Sequence, residues 1–176
     1  MNQVANPTRR NLLRGRIAKS SVEPKIRLPW VKSEAIFTDK CTQCDECIKH
    51  CETNIIVKDE LGYPKIDFSN GECTFCQQCI EHCDQPLFIE NAPFETEKAW
   101  LTAISIANNC LAANQVYCQS CRDECETSAI SFKYANTSIP VPSIAVDDCT
   151  LCGACVSKCP QSSIKITITK EEVNVR

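Results

Sequence analysis

The sequence predicts an α+β protein made of two similar halves, and three observations carry that expectation. One cysteine run recurs four times and uses all 16 cysteines, four to each run. Short pieces with alternating apolar residues flank the runs, the pattern of half-buried strands. The gap between the second and third runs is also longer than the gap inside either half. Repetition of this kind decides architecture before any single motif does.

The clearest copy spans Cys149 to Pro160 and reads C-T-L-C-G-A-C-V-S-K-C-P. Its spacing, C-x2-C-x2-C-x3-C-P, is the one bacterial ferredoxins use to hold a [4Fe–4S] cube. Cys149, Cys152 and Cys155 are spaced to turn three sulfurs toward one point. Cys159 lies beyond a turn and, in two-cluster ferredoxins, serves the neighbouring cube. Cys41, Cys44, Cys47 and Cys51 repeat the spacing, as do Cys73, Cys76, Cys79 and Cys83. The third copy is stretched: Cys110 stands eight positions before Cys118, followed by Cys121 and Cys125. All sixteen are candidate metal ligands, and the expected cofactors are four [4Fe–4S] clusters, two in each ferredoxin-like half.

The expected order along the chain follows from the runs. Residues 1–28 read as a basic, disordered tail, residues 29–91 as the first half and residues 92–176 as the second. Pro29 and Trp30 open the ordered part, since a tryptophan needs something to pack on. Ile36 and Phe37 ahead of Cys41, Ile66 and Phe68 ahead of Cys73, Ile104 and Ile106 ahead of Cys110, and Ile144 and Val146 ahead of Cys149 suggest short strands. Ile55 to Val57, Ile130 to Phe132 and Ile164 to Ile168 do the same behind the fourth cysteines. Gly62-Tyr63-Pro64 and the stretch from Ser138 to Ser143, with Pro140 and Pro142, supply turns. Between Asn91 and Ala113 helix formers compete with the alternation of Trp100, Thr102, Ile104 and Ile106; the second half of that stretch reads as strand.

Composition narrows the class of function. With 6% aromatic residues the packed core is modest, and metal clusters take over part of its role. A formal charge of −3 and a pI near 5.5 argue against nucleic acid as the main partner. The segment T-R-R-N-L-L-R-G from Thr8 resembles the start of a twin-arginine export signal, but the charged stretch after it supplies no apolar region. A cytoplasmic protein is therefore expected, with its thiols reduced rather than paired as disulfides. No stretch reaches the 18 or so apolar residues of a membrane span.

Competing readings of the cysteines are weaker. Zinc sites use two separate pairs of cysteines, whereas each run here has three closely spaced thiols and a fourth. No run stops at the two cysteines of a redox C-x-x-C motif. His50 and His82 precede fourth cysteines, yet the last run has Lys158 there, so they read as exposed non-ligands. Glu52, Asp84 and Glu126 stand where Pro160 stands in the last run; they are either solvated surface residues or acids that lower cluster potential or stability. The 4 glycines form no nucleotide-binding fingerprint, and nothing resembles a nucleophile–base pair, so the chain is not expected to be an enzyme.

Larger segments carry a family resemblance. They are T-R-R-N-L-L-R-G-R, Leu28-Pro29-Trp30, C-T-Q-C-D-E-C-I-K-H-C-E, G-Y-P-K-I-D-F, E-C-T-F-C and the stretched C-L-A-A-N-Q-V-Y-C-Q-S-C-R-D-E-C-E. Together they resemble the NapF family, ferredoxin-type proteins of the bacterial periplasmic nitrate reductase system. The resemblance implies a soluble cytoplasmic protein with four [4Fe–4S] clusters. It also implies association with the catalytic subunit of periplasmic nitrate reductase as a cytoplasmic precursor, and help with maturing that subunit before export. The alternative is a general electron carrier between a quinol-oxidising module and a reductase. The match of cubes to fourth cysteines stays open between two schemes. In one, neighbouring runs exchange them, so that Cys83 joins Cys41, Cys44 and Cys47; in the other, outer runs pair with outer and inner with inner.

Overall fold

The computed structural model describes residues 25–90, 98–100, 102–134 and 137–168. Each half is a pair of short antiparallel ribbons with two cysteine runs between them. In the second half, β3 (Thr102–Ile106) pairs with β6 (Ile164–Ile168), and β4 (Ile130–Lys133) pairs with β5 (Val141–Ile144). The strand ahead of the third run thus lies beside the strand behind the fourth. In the first half, β1 (Ile56–Lys58) pairs with β2 (Pro64–Ile66) between the two runs. The outer pair shrinks to a single antiparallel bridge, Val31 with Phe88, flanked by Lys32 N–H to Leu87 O and Ile89 N–H to Trp30 O, both 2.9 Å.

The expected strands at Ile66, Ile104–Ile106, Ile130–Phe132, Ile144 and Ile164–Ile168 are present. Ile36 and Phe37 instead lie in helix α1 (Glu34–Lys40). Ser33 caps it by accepting the Ile36 N–H at 3.3 Å, and Glu34 and Lys40 complement the helix dipole. The helix drives Phe37 into the core, where 1% of it stays exposed. Pro142, expected in a turn, sits inside β5 opposite Phe132. A two-stranded ribbon has an open edge that asks for no N–H, so proline is tolerated there. The Gly62 turn is as expected: Gly62 takes φ +87°, and the Asp59 carboxylate accepts the N–H groups of Leu61 and Tyr63 at 2.9 and 3.0 Å.

Residues 1–24 of the expected tail lie outside the described residues. Residues 26–28, read from sequence as its end, are part of the body. Ile66 N–H donates to Ile26 O at 2.8 Å, and Leu28 is buried. Arg27 is buried too, because every donor it turns inward finds an acceptor. Its guanidinium forks onto Glu34 at 2.7–3.1 Å, reaches Asp59 at 2.8 Å and Pro64 O at 3.0 Å, and stacks 5.0 Å from the Phe37 ring centre. Burial works against the charge on Arg27, but its hydrogen bonds to Glu34 and Asp59 outweigh that and raise its pKa. Burial likewise opposes the Asp59 carboxylate, and Arg27 with two backbone N–H groups holds it below its ordinary range. That stability is complete above the ordinary carboxylate pKa and is lost as pH falls through the lowered value. An Asp59→Asn protein should therefore unfold about 1–3 kcal/mol more easily at pH 7. In paired denaturation curves its deficit against the parent should shrink as pH drops below about 4.

The expected boundary at 91/92 falls in residues 91–97, outside the described residues, but the halves are not separate beads. Trp100, read as part of the second half, packs in the core of the first. Its indole N–H donates to Arg27 O at 2.9 Å, and its ring meets Phe68 edge-on at 5.6 Å. Phe75 joins Trp100 and Trp30 at 6.0 and 6.1 Å. Leu151, from the fourth run, lies in the same buried cluster. A smaller cluster of Ile130, Cys155 and Ile164 supports the second half.

Candidate metal centres

Each regular run is a tight loop followed by one helical turn: α2 (Glu46–Lys49), α3 (Gln78–Glu81) and α5 (Ala154–Ser157). The loops owe their shape to left-handed residues at fixed places. Gln43, Phe75 and Leu151, between the first and second cysteines, have φ of 56°, 57° and 63°. Asp45, Gln77 and Gly153, just after the second, have φ of 67°, 63° and 87°. Left-handed backbone costs a non-glycine residue roughly 1–2 kcal/mol. Runs that alternate right- and left-handed residues turn successive N–H groups into one concavity, which suits an anionic iron–sulfur group.

The stretched run is built differently. A 3-10 turn, Ala112–Asn114, fills the insertion, with Ala112 fully buried. Asn114 ties it down by donating to Asn108 O at 2.7 Å and Cys110 O at 2.8 Å. Gln119, after the second cysteine, is not left-handed, and α4 (Ser120–Asp123) carries Cys121. Val116 and Tyr117, on the insertion, stay 50% and 68% exposed beside Cys118.

The folded chain brings the thiols into four groups, each of three cysteines from one run and the fourth cysteine of its neighbour. Cys41, Cys44, Cys47 and Cys83 line one cavity; Cys51, Cys73, Cys76 and Cys79 line a second. Cys110, Cys118, Cys121 and Cys159 line a third. Cys125 acts electrostatically on Cys149 and Cys155, and with Cys152 these are the remaining four. The three cavities group the thiols as the exchange between neighbouring runs would, with a fourth cysteine from the adjoining run in each.

Burial first, and then the neighbouring thiols, push the Cys47 pKa up to about 12, with Cys41, Cys44 and Cys83 all contributing. Cys155 is likewise pushed up to about 12 and Cys121 to about 11. Cys73 rises to about 12 by burial, with Cys152 of the other half among the thiols acting on it. Four half-buried thiols crowded around a hollow have little reason to ionise unless cations take the protons' place, which is what ligation to iron provides. Cys159 goes the other way. Burial alone would raise it, but N–H groups of Ser163, Gln161 and Ile164 lower it, with Ser163 N–H at 3.2 Å from the sulfur.

Two features of the cavities fit an anionic group further. Ser163 is fully buried at the third cavity, and its hydroxyl, beside the Cys159 sulfur, helps to lower that thiol's pKa. Hydroxyls also stand beside cysteine sulfurs at 3.7 Å: Thr53 at Cys51, Thr127 at Cys125 and Ser120 at Cys118. Hydrogen bonds to the sulfurs are one of the levers on cluster potential. Sequence reasoning passed over these hydroxyls, although the shared Cys-Glu-Thr of the first and third runs was a visible signal. Among the described residues no group of three or more His, Cys, Asp or Glu is placed to hold a single metal ion.

His50 and His82 stack ring on ring, 3.5 Å apart and 12° from parallel, where α2 meets α3. His50 Nδ1 lies 2.9 Å from Glu46 O, while His82 also lines the first cavity. Glu52 is tied to the second run, its carboxylate accepting from the Thr74 hydroxyl.

Known proteins match this arrangement. Residues 40–87 match a family model described as a 4Fe-4S dicluster domain, and residues 116–163 match a second of the same description. The ferredoxin-type protein NapF of Haemophilus influenzae is 40% identical over 176 residues, covering 96% of this chain and 98% of that one. That of Escherichia coli K12 is 41% identical over 157 residues, covering 89% and 92%. The chain belongs to the NapF family. It is thus an iron–sulfur protein with two 4Fe-4S dicluster domains, of an electron-transfer type. The second domain match begins after Cys110, the cysteine that the insertion of the third run displaces and the fold returns to Cys118, Cys121 and Cys159. No solved structure matches the chain. No helix among the described residues is long and apolar enough to cross a membrane.

Proposed function

We propose that this chain carries four [4Fe–4S] clusters on its sixteen cysteines and acts in the cytoplasm. There it assists maturation of the catalytic subunit of periplasmic nitrate reductase before export. The clusters rest on one observation above all: every cysteine joins one of four groups of four, with none to spare. The spread of thiols around cavities favours cubes over single zinc ions. The client is proposed from the NapF family resemblance, and an accessory role without catalysis of its own suits a chain whose chemistry is its thiols. The unit boundaries follow the sequence reading, with the first half extended back to residue 26.

Anaerobically purified protein should carry about sixteen iron and sixteen sulfide per chain. It should be brown, with absorption near roughly 400 nm that bleaches on reduction. A colourless, zinc-loaded preparation would defeat the reading. For the client, tagged protein should recover the cytoplasmic precursor of the nitrate reductase catalytic subunit in preference to its exported form. Arg9, Arg10, Arg14 and Arg16 are the proposed tail contacts, so recovery should fall as salt rises above physiological strength. Equal recovery of both forms would leave the general electron carrier.

A further inference from the structure

Among the described residues the second and fourth runs touch across the halves, although they are not adjacent in sequence. The Cys73 N–H, in the second run, donates to Cys152 O, in the fourth, at 2.8 Å. Gly153 faces Phe68 so closely that a Cβ there would lie 2.0 Å from the ring. Asp45 and Gln77 adopt the same left-handed turn without being glycine, so the glycine at 153 answers to the neighbouring half as well as to its own backbone. Exposure of the third cysteines agrees with this placement, although Cys76 of the second run is exposed, as Cys44 is in the first. Cys79 and Cys155, the third cysteines of the second and fourth runs, are buried, whereas their counterparts Cys47 and Cys121 are partly exposed.

On the four-cluster reading, we propose that the sites form one electron path in the spatial order first, second, fourth, third run, with the Cys73–Cys152 hydrogen bond as the link between halves. The second- and fourth-run sites are the inner pair; the first- and third-run sites are the ends where partners give or take electrons. At the link one electron leaves the second-run site as the fourth-run site gains it, or the reverse. No proton moves and no bond breaks. Val116 and Tyr117, exposed beside Cys118, mark the third-run end. A path following chain order would instead place the second run against the third.

The test uses full-length protein, reduced with dithionite and read by electron paramagnetic resonance. Parent protein is first assayed for about sixteen iron, so that failure of the four-cluster reading shows itself separately. Cys44→Ser with Cys118→Ser removes the two end sites and should leave about eight iron with spin-coupled, split signals. Cys76→Ser with Cys149→Ser removes the inner pair and should leave two uncoupled signals. Uncoupled signals in the first variant, or equal coupling in both, would overturn the order. Should neither variant load iron, hydrogen exchange of residues 148–154 decides. Exchange there should quicken in Phe68→Leu, a change made in the other half, and unchanged exchange would overturn the link.

Discussion

Cys83→Ala protein should lose the cluster held by Cys41, Cys44 and Cys47, some forty positions upstream, while keeping the cluster of its own run. Iron should fall by about four per chain from about sixteen. The reason is placement: Cys83 lines the cavity of the first run, and its thiol adds to the upward pKa shift of Cys47. Cys51→Ala should do the converse, since Cys51 lines the cavity with Cys73, Cys76 and Cys79. Spectra of the two variants should therefore be complementary, each lacking what the other keeps. Loss confined to the mutated cysteine's own run would refute the exchange of fourth cysteines.

Gly153→Val should be among the most damaging substitutions outside the cysteines. A β-branched side chain at φ +87° strains the backbone, and its Cβ would meet the Phe68 ring at 2.0 Å. Phe68 is held in turn by Trp100 and cannot easily give way. Strain and overpacking together should cost about 2–5 kcal/mol. Denaturation of anaerobic protein, followed by loss of cluster absorption, checks this. Gln77→Val, which puts the same β-branched side chain on the matching left-handed turn of the second run, should cost only about 1–3 kcal/mol, the strain without the clash. Equal damage at both positions would mean that the turn, and not the packing against Phe68, sets the cost.

These two cases mark where the sequence was legible. The grouping of cysteines could be reduced to two schemes, because the fourth cysteine lies beyond a turn and, in two-cluster ferredoxins, serves the neighbouring cube. The strands of the second half were legible for a different reason: Ile104 and Ile106, or Ile164, Ile166 and Ile168, alternate cleanly. Phe37 was misread as strand although Ser33 and Glu34 mark a helix start, because the repeat suggested a strand in front of every run. Arg27 was assigned to a tail because two of its acceptors, Asp59 and Pro64 O, lie more than thirty positions away. Gly153 could be read as a turn glycine; nothing local tells that Phe68 would come to rest against it. Long-range contacts of this kind leave no periodicity to read.

The exchange of fourth cysteines has a consequence for the order of events during synthesis. With the ligands proposed above, no cube is complete until the chain has been made through a second run. The first-run site waits for Cys83, and the second-run site already has Cys51 behind it. Both sites of the first half can thus fill while the second half is still on the ribosome. The third-run site waits for Cys159, close to the C-terminus, and until then Cys110, Cys118 and Cys121 must be kept reduced and unpaired. A nascent chain halted between Cys83 and Cys149 should consequently take up two cubes' worth of iron and no more.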